Sequence, residues 1–334
     1  MKKYVLCMML AASALLTGCR KDGGGAVPTV TLTLANNLPA DSCTSRAIDW
    51  FAGQVKERSG GRIEIQVYHD SALGDSPSCL EQMQYGSIDM VKTDEAVMAN
   101  YVPDYYAFAM PYIYQDTEHF RKVHEGDIGM GLLRGEAMAA GQMYGLTYYD
   151  GGSRGFFSKR QICSPEDMKG MLVRVQGSRL MMAMVEALGA NPVALEYDQI
   201  FGELQTGGVA AAENSLVNYM QDGFYEAAPC FIEDGHTRNA DMLVMSSVIR
   251  AKLSEADLKM IDETALESWE YQQKLWDEAE EQTRRELEDR QAVVYMPDEQ
   301  EMDAFRSACE PVWSSYDDGA YIDMIDRIVA AGRM

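Results

Sequence analysis

Apolar and polar residues in the N-terminal part of the chain alternate or recur at helical spacing, and each pattern predicts one element. Alternation predicts strands over 29–35, 62–68 and 88–92. Apolar residues at helical spacing predict helices over 42–59 and 76–85, each followed by glycine. Because strands and helices take turns along the chain, we expect a mostly parallel sheet that is covered by helices.

The same order restarts after a largely helical stretch over 116–140 and a buried strand over 144–149. Strands are then predicted over 156–159, 172–175 and 210–213, and helices over 178–188 and 198–206. A restart predicts a second lobe rather than an extension of the first. The 334 residues are enough for two modest hydrophobic cores.

An unusually long helix is predicted over 254–289, directly after a strand over 241–249. Leu258, Ile261 and Trp269 belong to its apolar stripe. At about 1.5 Å per residue the helix is on the order of 50 Å long, which exceeds one lobe of this size. We therefore expect it to run across both lobes as a common brace. Two acidic helices are predicted to end the chain, over 298–313 and 319–331.

The N-terminus has the three parts of an export signal. Two lysines give a positive start, residues 5–16 form a short apolar core, and Leu-Thr-Gly precedes Cys19. Leu-x-Gly-Cys resembles the bacterial lipobox, so we expect a lipoprotein signal peptide over 1–18 and lipidation of Cys19. A glycine-rich tether over 19–27 would then link the membrane to the folded body, outside the cytoplasm. An ordinary signal peptide with a chance cysteine is the alternative.

The formal net charge of −23 argues against nucleic acid or an anionic lipid surface as a partner. An acidic surface permits the binding of an anion only if a few buried arginines dominate the site locally. The cysteines that follow Cys19 are odd in number, lack a CxxC pair and show no zinc spacing: Cys43, Cys79, Cys163, Cys230 and Cys309. One or two disulfides and free buried thiols both remain open.

Two arginines stand out among the predicted strands. Arg154 follows one strand, and Arg174 lies inside the apolar run Leu-Val-Arg-Val. Burying an arginine is costly unless a carboxylate pairs with it. That carboxylate could belong to the protein, but two such arginines and the Glu213-Asn214 pair at the end of a third strand favour a ligand. Ligands of open α/β sheets bind at the carboxyl ends of strands, where arginine grips a carboxylate with two parallel hydrogen bonds.

An ordered series of short motifs resembles the DctP family, the substrate-binding subunits of TRAP transporters. The central motifs are DMKGMLVRV at 167–175, LGANP at 188–192, LQTGGV at 204–209 and Glu213-Asn214. Further matches are SGGRI at 59–63, ALG at 72–74, QYGSID at 84–89, AMPY at 109–112, and His236. The resemblance therefore covers nearly the whole chain after the signal.

The resemblance implies an α/β, periplasmic-binding-protein-like fold with two lobes that close over one ligand, and a long helix that spans both. We expect residues 28–151 and 240–279 to form lobe I, and residues 152–239 and 280–334 to form lobe II. It also implies that the partners are the small and large membrane subunits of a TRAP transporter, which use an ion gradient instead of ATP. A receptor for an ATP-driven importer or for a sensor kinase is the rival interpretation.

The resemblance also assigns the ligand-binding residues. It places Arg174 on the substrate carboxylate, with Asn214 in support and Arg154 as a second basic position. The remaining candidates are Tyr197 packing on the ligand, the first-lobe contacts Asn37, Ser76 and Asp94, and Asn239 near a crossover. This chain departs from the family pattern before and after Glu213-Asn214, where it has Ala210-Ala211 and Ser215.

The ligand expected from these residues is a small organic acid. Tyr197 and several hydroxyl or amide partners favour a sugar acid such as a uronate or aldonate, followed by a four-carbon dicarboxylate or sialic acid. We expect no cofactor and no metal, since the four histidines show no metal spacing. The G-x-S-x-G pattern around Ser153 would suggest a hydrolase, but the residues after it read as a strand and not as the required helix. We therefore expect a binding protein and no enzyme.

Overall fold

The structure is a computed structural model that describes residues 30–287, 290, 292–315 and 321–333. The predicted signal peptide over 1–18, the tether over 19–27 and Cys19 lie outside the described residues. In the part that is described, no helix is both long and apolar enough to cross a membrane.

Eleven strands are described, in two sheets. They are β1 Val30–Ala35, β2 Ile63–Tyr68, β3 Met90–Asp94, β4 Met143–Tyr149, β5 Arg154–Ser158, β6 Leu172–Val175, β7 Asn191–Ala194, β8 Ala211–Ser215, β9 Cys230–Ile232, β10 Asp241–Ser246 and β11 Val293–Tyr295. The strand order is β2-β1-β3-β10-β4 in the first sheet and β11-β9-β5-β8-β6-β7 in the second.

Sixteen α-helices are described, with short 3₁₀ turns at Pro103–Tyr106 and Tyr197–Gln199. They are α1 Cys43–Arg58, α2 Ser76–Gln84, α3 Glu95–Met98, α4 Thr117–Glu125, α5 Asp127–Leu133, α6 Glu136–Ala140, α7 Pro165–Met168, α8 Arg179–Ala187, α9 Ile200–Thr206, α10 Leu216–Gln221, α11 Phe224–Ala227, α12 Ser247–Arg250, α13 Glu255–Glu286, α14 Glu299–Ala308, α15 Glu310–Ser315 and α16 Ile322–Gly332.

Local sequence explains the best-predicted elements. Helix α1 begins where the Ser42 side chain accepts a hydrogen bond from the Ser45 amide, and it ends before Gly60 and Gly61, both of which adopt positive φ. Helix α13 begins in the same way at Ser254 and extends for 32 residues. The long helix is thereby confirmed. It contacts α1 and β4 on the side of the first sheet and α10 on the side of the second sheet.

Several predicted boundaries are wrong for identifiable reasons. Strand β3 lies two residues later than predicted because all five of its residues are buried, so that no alternation marks it. Glycines at the N-caps of α5 and α6 divide the stretch 116–140 into three helices. The strand predicted over 241–249 ends at Ser246, where α12 starts, and the helix predicted over 298–313 is divided into α14 and α15.

The sheets are mixed rather than mostly parallel. Strands joined by helices pair in parallel, as β1 does with β2 and β3, and β6 does with β7 and β8. The strands that border the crossovers reverse direction, so β10 is antiparallel to β3 and β4, and β5 is antiparallel to β8 and β9. The prediction of a mostly parallel sheet was wrong because a strand that returns from the other lobe, such as β10, enters the sheet in the opposite direction.

Three chain segments connect the sheets: the short crossovers between β4 and β5 and between β9 and β10, and the longer segment between β10 and β11 that contains α13. Asp150 in the first accepts two hydrogen bonds from Arg238 in the second, at 3.2 and 2.7 Å. The Gln272 side chain of α13 exchanges hydrogen bonds with the backbone N–H and C=O of Asp150. The long helix and the two short crossovers are thus joined by hydrogen bonds.

The lobe boundaries stay a prediction. The last helix, α16, falls in the range proposed for lobe II, yet it contacts α4 and α5, which lie in the range proposed for lobe I. Of the alternatives left open for the cysteines, the structure has free thiols at all five described positions. No group of side chains suited to a metal ion occurs among the residues described.

Candidate functional site

A pocket lies between the two sheets, where the carboxyl ends of their parallel strands face each other. Its enclosed volume is about 40 Å³, so the two walls lie close together in this structure. All eight residues predicted to bind the ligand line it: Asn37, Ser76, Asp94, Arg154, Arg174, Tyr197, Asn214 and Asn239. Their individual roles toward a ligand stay predictions.

Arg154 is the first residue of β5 and not a loop residue, as the sequence suggested. Its guanidinium is fully engaged: Nε donates to the Glu213 carboxylate, one terminal nitrogen donates to Asn214 Oδ1 at 3.2 Å, and the other donates to the Glu213 backbone carbonyl at 3.0 Å. Strands β5 and β8 are antiparallel neighbours, which brings these groups together. Arg154 therefore has its counter-charge within the protein.

Arg174 is buried to the same degree but is only partly paired. Its Nε donates to the Leu195 carbonyl at 2.9 Å. Its NH1 nitrogen is buried without a hydrogen-bond partner and lies 3.9 Å from Glu213 Oε1. Burial lowers the pKa of Arg174, Glu213 raises it, and Arg154 lowers it further. The pocket wall thus presents a cation that lacks a close counter-ion.

Glu213 and His236 lie behind the arginines and are fully buried. The His236 ring stacks on Phe156 and lies between two carboxylates, 3.1 Å from Asp234 and 3.5 Å from Glu213. Burial lowers the pKa of His236, but Asp234 and Glu213 outweigh it and raise the pKa to about 9. Burial raises the pKa of Glu213, but Arg154 and His236 outweigh it and hold the pKa at about 2. Both groups are charged at neutral pH.

Asn214 is fixed by a chain of hydrogen bonds. Its Oδ1 accepts from Arg154 and from Asn218 Nδ2, while its Nδ2 donates to the Tyr197 hydroxyl at 3.4 Å. That hydroxyl in turn donates to Asp222. Burial raises the pKa of Asp222 to about 6, although the bond from Tyr197 opposes the rise. The amide N–H of Asn214 is thereby oriented beside the two arginines.

The first-lobe wall of the pocket contains a second ion pair. Lys92 lies 2.6 Å from Asp241 and also donates to Asn37 Oδ1 at 3.3 Å. Asp94 accepts the Val97 amide at the start of α3, and burial raises its pKa. The Ser76 hydroxyl donates to Thr93 Oγ1 at 3.0 Å, so this predicted contact already has a partner in the protein.

Two amide side chains at the pocket have buried atoms without a hydrogen-bond partner. Asn239 is 3% exposed, and both its Nδ2 and its Oδ1 lack a hydrogen bond. Gln176 Oε1 is likewise buried and unpartnered. Buried polar atoms normally have a partner, so these groups and Arg174 NH1 mark positions where a ligand would supply one.

The sequence interpretation missed several charged and polar residues of this site. These are Lys92, Gln176, Glu196 and Asp241, which line the pocket. Glu213 and His236, which the motifs included without a role, support it from behind. Lys92 satisfies the criterion that identified Arg174, a charge inside an apolar strand. Gln176 and Glu196 follow β6 and β7, where the rule about carboxyl ends of strands would have placed them. Nothing local in the sequence identifies Asp241 or His236.

The G-x-S-x-G segment does not form a nucleophile elbow. Ser153 is followed directly by β5 and not by a helix, so the strand expected from the sequence is confirmed. Gly152 adopts φ +76, and a Cβ there would lie 2.5 Å from the Trp276 ring. The absence of a side chain at Gly152 therefore lets the crossover pass close to the long helix.

Replacing His236 by Gln should flatten the dependence of the free energy of unfolding on alkaline pH. The pKa of His236 is raised in the folded protein, so its stabilisation is complete below its ordinary pKa of 6.5 and is lost as pH rises through about 9. The wild type should lose on the order of 3 kcal/mol across this range from this group. Denaturant titrations at pH 6 to 10 measure the slope.

The matched control for this change is His69→Gln, since His69 pairs with Asp49 near the surface. This variant should retain the wild-type slope. Equal slopes in the wild type and His236→Gln would show that His236 does not carry the buried charge assigned to it.

Comparison with known proteins agrees with this geometry. The solved TRAP periplasmic solute-binding protein of Bradyrhizobium sp. BTAi1, in complex with α/β-D-galacturonate, is 32% identical with a TM-score of 0.85, over 90% of this chain and 99% of that one. The solved TRAP periplasmic solute-binding protein of Pseudomonas putida F1, with bound D-glucuronate, is 28% identical with a TM-score of 0.82, over 90% and 97%.

The sialic acid-binding periplasmic protein SiaP of Vibrio cholerae is 26% identical over 306 residues, which cover 90% of this chain and 92% of that protein. The sequence profile of the bacterial extracellular solute-binding proteins of family 7, DctP, matches residues 34–318. The two-lobe α/β fold and the family inferred from the motifs are therefore confirmed. The chain belongs to the DctP family of extracytoplasmic solute-binding proteins and is a solute-binding protein of the TRAP type.

Proposed function

We propose that this chain captures a sugar acid such as a uronate between its two lobes, outside the cytoplasm, and delivers it to the membrane subunits of a TRAP transporter. The observation that carries the proposal is the NH1 nitrogen of Arg174, which is buried in the pocket wall without a partner. A carboxylate is the group that best completes a buried guanidinium, because two parallel charge-assisted hydrogen bonds can form.

The charges of the pocket favour a ligand with one carboxylate. Among the pocket-lining cations that the structure describes, Arg154 is paired with Glu213 and Lys92 is paired with Asp241. Only Arg174 lacks an anion within close hydrogen-bonding distance in that set. A second carboxylate of a four-carbon dicarboxylate would therefore displace an existing ion pair, whereas a hydroxyl group would not.

The relatives support a hydroxylated acid. Two solved relatives contain galacturonate or D-glucuronate, and the relative from Vibrio cholerae is named for sialic acid. All three ligands carry a carboxylate together with several hydroxyl groups. The unpartnered amides of Asn239 and Gln176 provide acceptors and donors for such hydroxyls in this chain. We place a uronate first for these reasons.

Binding requires the lobes to close and requires no chemical reaction. Arg174 and Asn214 belong to the second sheet, while Asp94 and Lys92 belong to the first. A ligand that touches both sides supplies the differential affinity that closure needs, because it contacts both walls only in the closed form. The crossovers around Asp150 and Arg238 are the segments where such a motion would turn.

Replacing Arg174 by Ala should weaken the binding of D-galacturonate or D-glucuronate by about 100-fold or more, since truncating one partner of a buried charge pair costs 2–5 kcal/mol. Replacement by Lys should retain part of the affinity, because the charge remains but the two-pronged geometry is lost. Isothermal titration calorimetry measures the dissociation constants of the wild type and of the two variants.

The control for this series is Arg285→Ala, which removes the same charge from an exposed position on α13. This variant should bind like the wild type. Wild-type affinity in a folded Arg174→Ala protein would rule out the proposed anchor, and the absence of binding of any sugar acid to the wild type would rule out the proposed ligand class.

We further propose that Cys19 carries a lipid that holds the protein at the outer face of the cell membrane or in the periplasm. The observation in support is the Leu-Thr-Gly-Cys sequence, followed by a polar, glycine-rich segment. The full chain should fractionate with membranes when it is expressed in a bacterium. Cys19→Ser should release it into the soluble fraction, and a membrane-bound Cys19→Ser protein would contradict the anchor.

A further inference from the structure

A buried pair of an acid and a histidine lies next to the first-lobe wall of the pocket. Glu95 and His124 are both fully buried, and Glu95 Oε1 lies 2.8 Å from His124 Nε2. Glu95 opens α3, directly after the pocket residue Asp94, and His124 belongs to α4. Neither Glu95 nor His124 is among the described residues that line the pocket. The pair can therefore affect a ligand only through the residues that it holds in place.

The His124 ring has one fixed orientation. Its Nδ1 lies 2.7 Å from the Phe120 carbonyl, which can only accept a hydrogen bond, so Nδ1 carries a proton. Four aromatic rings surround the imidazole, at centroid distances from 4.1 to 5.7 Å: Phe108, Tyr114, Phe120 and Tyr148. The contact between Nε2 and the Glu95 carboxylate requires one shared proton, so the pair is neutral overall.

Glu95 holds the crossover between β9 and β10 at two points. Its backbone N–H donates to the Ala240 carbonyl at 3.1 Å, and its Oε2 accepts the Ala240 N–H at 2.9 Å. Since His124 holds the other oxygen, the carboxylate spans from α4 to the crossover. Ala240 is flanked by Asn239 and Asp241, which both line the pocket. The carboxylate thus fixes backbone that carries two pocket residues.

The position of the Asn239 amide depends on this backbone. Its Nδ2 and Oδ1 make no hydrogen bond to the described residues, although the side chain is buried, so no side-chain bond orients the amide. The other crossover already packs against the Asn239 backbone, because a Cβ at Gly151 would lie 2.5 Å from the Asn239 carbonyl oxygen. The attachment of Ala240 to Glu95 therefore contributes directly to the placement of the amide.

We propose that Glu95 is a positioning residue that, together with His124, places the Asn239 amide for the hydroxyl groups of the ligand. The inference rests on the proposed function and extends it to residues that do not touch the ligand. A buried amide must point its donor and acceptor correctly, since a displaced amide leaves polar groups unpaired in the complex. Because the pair is neutral overall, its effect on the ligand is geometric and not electrostatic.

The test is a double-mutant cycle on the dissociation constant of D-glucuronate, measured by calorimetry. Asn239→Ala should weaken binding by about 10-fold, as for the loss of the hydrogen bonds of one amide. Glu95→Asp should weaken it by about 5-fold, because the shorter carboxylate cannot reach both His124 and Ala240. Since Glu95 acts through Asn239, Glu95→Asp should cause no further loss in the Asn239→Ala protein. Equal losses in both backgrounds would overturn the proposal.

A second cycle with His124→Phe tests the same role independently of whether Glu95→Asp folds. Phe keeps a ring among the aromatic neighbours but removes the nitrogen that holds Glu95. Its loss of affinity should also be confined to proteins that retain Asn239, and a loss that persists in the Asn239→Ala protein would contradict the role.

Glu95→Gln separates the length of the side chain from its charge. Gln can accept from Ala240 and donate to a neutral His124, so this variant should retain more affinity than Glu95→Asp. Weaker binding by Glu95→Gln than by Glu95→Asp would show that the charge matters and would overturn the geometric role.

The matched control is Glu118→Asp, which shortens an exposed glutamate in the first turn of α4 and should bind like the wild type. Circular dichroism shows whether each variant is folded. A wild type that binds no sugar acid would overturn the proposed function. A wild type that binds D-glucuronate, with losses that add in the two cycles, would overturn the positioning role alone.

Discussion

The carboxylate of Glu213 is the group on which the binding wall depends. It is fully buried and lies within reach of three cationic groups, Arg154, Arg174 and His236. Arg154 and His236 take up its charge, whereas the Arg174 NH1 nitrogen lies 3.9 Å away without a hydrogen bond. Glu213 therefore pairs with Arg154 and His236 but leaves the Arg174 guanidinium without a hydrogen-bonded anion. We propose that an external carboxylate completes it, which would explain how a chain with a net charge of −23 captures an anion.

The two short crossovers and the long helix connect that wall to the first sheet. Asp150 and Arg238 join the two crossovers, and Gln272 attaches them to the long helix. The crossovers also carry binding groups at their ends, since Arg154 follows one and Asn239 belongs to the other. Any rotation of the lobes must therefore move pocket residues directly. In the proposed closing motion, a turn at these segments would therefore be coupled to contacts with the ligand.

Short-range patterns were sufficient to predict most elements, and strand arginines were sufficient to locate the pocket. Arg174 could be found because a charge in an apolar strand conflicts with its neighbours. The pairing of Lys92 with Asp241, and of His236 with Asp234 and Glu213, could not be predicted, since it depends on which strands become neighbours in the fold. Strand β10 returns from the other lobe and pairs with β3 and β4 of the first sheet. Its own residues show no pattern that predicts which strands it pairs with.

The proposed role of Arg174 is to bind the carboxylate of the ligand and so complete the pocket wall. The most direct measurement compares D-glucuronate with D-glucose, which has the same ring and hydroxyl groups but no carboxylate, by calorimetry on the wild-type protein. We expect tight binding of D-glucuronate and binding of D-glucose that is weaker by about 100-fold or more, as for the loss of a buried charged pair. Comparable affinity for the two sugars would contradict it.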